Sequence, residues 1–214
     1  MLKRMSLALV VALCAAKAMP ASDTLPRIAV FGGSFSRIKA SEVAKNAWAK
    51  ALGCKVDTWG IGGCGFEAGR GKTNDVSGQV SRAIAKKGVR YAAFVLWASG
   101  NDCRFPPSAT SNGVERAVNL IRESDPNARI VLLNSIDEPF RTDKFRAKLR
   151  ACAEAQNGIC AKLGVPVLDL NGGSGITREN GRALVGKDDC HMTEAGYRFI
   201  EPMTTEFLIR NLKL

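Results

Sequence analysis

The chain has 214 residues, 46% hydrophobic and 24% charged, with 31 Lys plus Arg against 20 Asp plus Glu and a formal net charge of +11. These are globular proportions that argue against long disorder, and the length fits one domain with a sizeable core. A single histidine excludes a His-rich metal site. No low-complexity tract or internal repeat is visible.

The first twenty-one residues read as a secretory signal peptide. Lys3 and Arg4 precede an apolar run, Ser6–Ala16, and small residues follow at Ala16, Ala18 and Ala21 beside Pro20, the order such peptides require. The run is too short for a membrane span, which takes about 20 residues. A buried N-terminal strand or helix is the plainer alternative. Leu13 stands where a lipidated Cys14 would need a small neighbour. The expectation is cleavage near Ala21, export to a periplasmic or extracellular space, and no stable membrane anchor.

Residues 22–214 then form a single domain with 28 basic and 20 acidic residues, a surplus of +8. Such a surplus suits anionic polymers or membrane surfaces. No run of Lys or Arg reaches five, however, and aromatics do not interleave with the basic residues. No nucleic-acid partner is expected, and the charge reads as a solvated basic surface. The sequence carries no signal of oligomeric state. Export also makes disulfides plausible among Cys54, Cys64, Cys103, Cys152, Cys160 and Cys190. Cys152 and Cys160 lie on one apparent helix and cannot pair unless it breaks near Gly158. With no Cys-x-x-Cys, zinc-ribbon and thioredoxin-type readings have no support.

In chain order, Arg27–Phe31 reads as a first strand ending in Gly32-Gly33. A helix follows over Ala40–Leu52, a second strand over Lys55–Trp59 and a helix over Val76–Lys87. Tyr91–Trp97 is a third strand and Val114–Glu123 a helix closed by a Ser-Asp-Pro-Asn turn. Arg129–Leu133 is a fourth strand, Asp143–Leu163 a long helix ended by Gly164, and Val165–Leu168 a fifth strand. Thr193–Leu212 is the last helix, which Pro202 is expected to kink or interrupt. Near-continuous apolar strands alternating with amphipathic helices predict an α/β doubly wound sandwich around a five-stranded parallel sheet. Ligands in such folds sit beyond the carboxyl ends of the strands.

Those ends carry the polar residues of interest. Strand one runs into Gly32-Gly33-Ser34-Phe35-Ser36, where Ser34 suits a nucleophile and equally an N-cap. Strand two is followed by Gly60-Ile61-Gly62-Gly63-Cys64-Gly65, strand three by Ala98-Ser99-Gly100-Asn101-Asp102. Gly60-x-Gly62-x-x-Gly65 fits the dinucleotide fingerprint but follows the wrong strand and opens no helix. Gly71-Lys72-Thr73 lacks the first glycine of a P-loop, since Phe66 stands there. His191 follows Asp188 by three positions at the start of the last helix, close enough for the carboxylate to fix the ring tautomer. Ser34, His191 and Asp188 can supply nucleophile, base and orienting acid. The N–H groups of Ser34 and Gly63 and the Asn101 amide can serve as donors to an oxyanion.

The four segments FGGSFS, GIGG, SGND and DDCH resemble, in order and place, the motif blocks of the SGNH (GDSL-type) hydrolases. The resemblance spans essentially the whole of residues 22–214 and implies a flavodoxin-like three-layer fold. It implies Ser34 as nucleophile, Gly63 and Asn101 as oxyanion partners, and Asp188 and His191 as the rest of a triad, with no metal or organic cofactor. Three departures stand out. The usual Asp of Gly-Asp-Ser is Gly33, block two offers four glycines, and Asp189 adjoins Asp188. A disulfide between two of Cys64, Cys103 and Cys190, all near site motifs, could rigidify the oxyanion region.

Acyl transfer on a small-molecule or glycan ester is the implied chemistry. The loops after strands three and four (104–112 and 136–143) should line the pocket, bringing Arg104, Phe105, Phe140 and Arg141. They are short and carry no long apolar stretch, which favours small acyl groups, acetyl on a glycan first. A lysophospholipase or thioesterase with the same triad, and a non-catalytic carbohydrate-binding protein on the same fold, are the alternatives.

Overall fold

A computed structural model describes residues 25–214, so the signal-peptide segment lies outside the described residues. Five strands, β1 (Arg27–Gly32), β2 (Lys55–Thr58), β3 (Ala93–Trp97), β4 (Arg129–Leu133) and β5 (Val167–Leu168), form one sheet. All pairings are parallel and the order is β2-β1-β3-β4-β5. The helices are α1 (Ser34–Arg37), α2 (Glu42–Leu52), α3 (Val76–Ile84), α4 (Pro107–Ser124), α5 (Asp143–Leu163), α6 (Leu170–Gly173), α7 (Gly181–Leu184) and α8 (Glu194–Leu212).

The strand sequences explain the layering. Alternate residues of β1, β3 and β4 point to opposite faces, and both sets are apolar. Ile28, Val30, Val95, Trp97, Val131 and Leu133 pack with Trp48 of α2 and Tyr197, Ile200 and Leu208 of α8. Ala29, Phe31, Phe94, Leu96, Ile130 and Leu132 pack with Val76 and Val80 of α3 and Val114, Val118 and Ile121 of α4. The two edge strands, β2 and β5, are only partly buried. Side-chain caps start four helices: Asp75 accepts from Gly78 N, Thr142 from Phe145 N, Asp169 from Asn171 N and Gly172 N, and Thr193 from Gly196 N.

α2 begins at Glu42 rather than Ala40 and α3 ends at Ile84 rather than Lys87, and two further helices differ more from the sequence expectation. α4 starts at Pro107 rather than Val114. Residues 107–113 carry no apolar stripe, but Pro at the first helical position is preorganised for the helix. Pro202 does not interrupt α8, which runs unbroken to Leu212. The proline and Arg198, whose carbonyl it deprives of a partner, are both exposed, so water can satisfy that carbonyl. The opposite side is anchored by buried Ile200, Thr204 and Leu208, with Trp48 Nε1 donating to Thr204 Oγ1 at 3.0 Å.

The strand order reverses between β1 and β3. The crevice rule therefore places a ligand site between the Gly33–Ser34 turn and the Ser99–Asn101 turn.

Candidate active site

Ser34 opens α1 at the carboxyl end of β1, and three buried side chains fix this turn. Gln79 accepts from Gly32 N at 2.9 Å and donates to Gly32 O at 3.0 Å. Lys45 Nζ donates to Ser36 O at 3.0 Å, Thr58 Oγ1 at 3.0 Å and Glu42 Oε1 at 2.6 Å. Tyr197 Oη donates to Phe35 O at 2.7 Å. A side chain at Gly33 has no room: its Cβ would lie 2.5 Å from Cys64 O and 2.7 Å from Ser99 Oγ. That contact accounts for glycine where the resembling motif has aspartate.

Ser34 Oγ lies 2.7 Å from His191 Nε2, and His191 Nδ1 lies 2.6 Å from Asp188 Oδ2. The network assigns the tautomer: Nδ1–H donates to the carboxylate, leaving Nε2 to accept the Ser34 hydroxyl hydrogen. Asp188 Oδ1 also accepts from the backbone N–H groups of His191 (3.0 Å) and Cys190 (3.2 Å). Partial burial pushes the Asp188 carboxyl up, but these three hydrogen bonds and the His191 ring outweigh it and hold the group below the usual carboxylate range. Asp189 is turned away, at φ 57°, and pairs with Arg182 Nη1 at 2.9 Å.

Of the block-two glycines, Gly62 and Gly63 line the cleft. Gly60 and Gly65 are packing positions, whose Cβ would meet Ser36 Oγ at 2.0 Å and the Asp102 carboxylate at 2.5 Å. Gly63 sits at φ 76°, and among the described residues neither its N–H nor that of Ser34 has a hydrogen-bond partner. Asn101 follows in the 3₁₀ turn Gly100–Arg104. Its amide donates to Cys64 O at 2.9 Å and to Ser99 Oγ at 3.0 Å. Asp102, fully buried, accepts from the backbone of Phe66, Glu67 and Ala68 at 2.8–3.0 Å. It thereby ties the loop after β2 to the loop after β3; burial pushes its carboxyl up despite those donors.

These groups surround a cleft of about 690 Å³, also lined by Phe35, Ile38, Arg104, Glu138, Arg141, Phe145, Lys148 and Cys190. Of the four residues expected to contact substrate, Arg104 and Arg141 are on its wall. Phe105 and Phe140 are not, which corrects the sequence reading. Phe105 faces a separate depression with Pro106, Pro107 and Cys152. Phe140 packs on Gly181 and under the Arg182 guanidinium, 3.5 Å from its ring centroid. The expected disulfides are absent among the described residues: Cys54, Cys64, Cys103, Cys152, Cys160 and Cys190 are all free. Cys103 packs beside Cys152 rather than Cys64 or Cys190, and α5 carries Cys152 and Cys160 on one unbroken helix.

Sequence reasoning missed Lys45, Gln79, Asp102 and Tyr197, which fix the loops, and Glu138, Phe145 and Lys148, which line the cleft. A buried Lys or Gln on an amphipathic helix has no local signature. Glu138 lay within a loop already assigned to the pocket, and its charge there was the available signal. Among the described residues no three His, Cys, Asp or Glu side chains gather as a metal ion would require.

The sheet, the crevice at its switch point and the serine–histidine contact define a serine hydrolase on a flavodoxin-like α/β fold. The GDSL-like lipase/acylhydrolase family matches residues 30–199, and the chain belongs to that family. Its activity is accordingly of the esterase or lipase kind, on carboxylic ester bonds. Similar folds are seen in a member of the lipolytic protein G-D-S-L family from Veillonella parvula (15% identity, TM-score 0.69, 86% of this chain and 98% of that one). They recur in a lipase/acylhydrolase from Enterococcus faecalis (15%, 0.63, 86% and 95%) and the aryl esterase of M. smegmatis (15%, 0.64, 87% and 99%). No curated protein sequence matches the chain.

Proposed function

We propose that this hydrolase is exported and cleaves small acyl esters, acetyl groups on carbohydrates first among them, through Ser34, His191 and Asp188. The observation that carries the reading is the unbroken chain from Asp188 through His191 to Ser34, at 2.6 and 2.7 Å. His191 Nε2 takes the Ser34 proton as Oγ attacks the ester carbonyl. Asp188 keeps the ring oriented and stabilises its positive charge. The N–H groups of Ser34 and Gly63 are free to receive the oxyanion. The Asn101 amide joins them by turning one N–H from Ser99 to the substrate. His191 then gives its proton to the leaving alcohol and draws one from water, which releases the acid from Ser34. Export rests on the basic, apolar and small-residue succession of the first twenty-one residues.

The test is hydrolysis of p-nitrophenyl acetate, butyrate and octanoate by residues 22–214 beside Ser34→Ala. Fastest cleavage of the acetate, abolished in Ser34→Ala, is expected. Preference for octanoate would move the assignment to lipid esters. Equal background rates in both proteins would favour a binding protein on this fold.

A further inference from the structure

Charge on the cleft wall is one-sided. Arg104, Arg141 and Lys148 line it, and no exposed carboxylate does. The single acid on the wall, Glu138, is fully buried, and burial pushes its carboxyl up to about 7. Among the described residues no N–H or O–H donor hydrogen-bonds either Glu138 oxygen; its side-chain neighbours are the Cys190 thiol and the Arg141 guanidinium. A buried carboxyl with so few hydrogen-bond donors is costly to keep.

Its position shows what it does. Glu138 Oε2 lies 3.8 Å from Arg141 Nε. The Arg141 guanidinium also stacks over Phe145, 4.5 Å from the ring centroid. Glu138 and Phe145 both abut Gly100, the residue before Asn101: a Cβ on Gly100 would lie 2.6 Å from Glu138 Oε1 and 3.4 Å from Phe145 Cζ. Arg141 is therefore a cation held from two sides against the loop that carries Asn101. Among the described residues its Nη groups donate no hydrogen bond, and Lys148 Nζ has no partner. A planar guanidinium with its fork free accepts a carboxylate or phosphate bidentately.

We infer that the cleft selects esters whose alcohol portion carries an oxyanion, a carboxylate or a phosphate, bound by Arg141 with Lys148, and that Glu138 is the positioning residue for Arg141. The alcohol side is indicated because Glu138 also neighbours Cys190, next to the His191 that protonates the leaving oxygen. The inference rests on the esterase reading and sharpens its substrate class.

The test compares 4-acetoxybenzoate with methyl 4-acetoxybenzoate at pH 7.5 and low salt. The two differ by one charge and one methyl group, release of acetate is followed in both, and the neutral ester has the better phenolate leaving group. The anionic ester is expected to show the higher kcat/KM by about tenfold, the order of one partly screened ion pair near a protein surface. The advantage should fade as added salt screens it. Arg141→Gln and Lys148→Gln should each lower the ratio several-fold through KM; both side chains reach the cleft surface, and melting curves check folding. Glu138→Gln should lower it through the same KM term, with Arg141→Gln in that background adding little. A third ester, 4-acetoxyphenyl phosphate, sorts the source: faster cleavage than the benzoate indicates a phosphate-bearing alcohol, slower a uronate-like one. Either supports the inference. A wild-type ratio at or below one, or a ratio untouched by both cation variants, would overturn it. Turnover of p-nitrophenyl acetate separates the two failures, since the esterase reading survives when it is cleaved and falls with this inference when no ester is.

Discussion

The two walls of the cleft are built on opposite terms. Around Ser34 every fixing group is paired: Gln79 closes both hydrogen bonds of Gly32, Lys45 makes three, and Tyr197 satisfies Phe35. Across the cleft Glu138 is buried with no N–H or O–H donor on its carboxyl, and its neighbouring cations look into open space. Covalent chemistry needs the nucleophile held within a fraction of an ångström, which paired buried groups supply. Recognition needs donors that the protein itself has not satisfied, at some cost in stability. One wall is thus rigid by completeness, and the other is receptive because it is incomplete.

The largest expected effect breaks the rigid wall at its centre. Ser34→Ala should lower turnover of p-nitrophenyl acetate by about 10⁶, measured by steady-state kinetics on a folded variant. Asp188→Asn should cost about 10⁴ by freeing the imidazole tautomer. Asp189→Asn should stay within about threefold, because its pair with Arg182 is exposed and such pairs contribute little. A reversal of that order would reassign the acid. Asn101→Ala should lose about 10²–10³ in kcat, as removal of one oxyanion donor does.

On the receptive wall the effect is on stability. In the folded chain Glu138 holds its proton to about pH 7, against 4.5 ordinarily. Between those values the native state binds more protons than the unfolded one, so stability falls as pH rises through the window. The fall from this group is about 3 kcal/mol when complete. Glu138→Gln should remove that component, read from urea midpoints at pH 5 and pH 8. An unchanged pH slope would mean Glu138 is ionised throughout that range. The smallest effect returns to the first wall: Lys45→Met should cost about 2 kcal/mol by leaving Ser36 O and Thr58 Oγ1 without their donor, read from the same midpoints.

Much of the fold was legible because its signals are local. β4 and α5 fall where apolar runs and the Gly164 stop place them, with the bounds read from sequence. The edges were blurred where apolar residues extend past the ladder. Tyr91 reads as strand but lies before β3, and Val165 reads as strand but lies before β5. Asp188 and His191 are three residues apart in one turn, so their contact was readable. The partner of His191 in Ser34 stands 157 positions away and could be inferred only through the crevice rule and the motif resemblance. The aromatic wall was misread for the same reason. Phe105 and Phe140 lie in the right loops, but side-chain direction in a loop is set by what packs beneath it, and here Arg182 claims Phe140.

The sequence by itself determined the alternation of strands and helices, the apolar faces that stack them, and which short segments gather at the strand ends. Each follows from periodicity, turn chemistry or spacing along a few residues. Only the tertiary structure decided which of Asp188 and Asp189 meets the histidine, which glycines face the cleft, and that no two cysteines among the described residues are bonded. It alone brought Lys45 and Gln79 beneath the nucleophile and set a buried Glu138 behind Arg141. These choices depend on distances between segments far apart in the chain, and burial, which gives them their energy, does not exist until the sheet has closed over its helices.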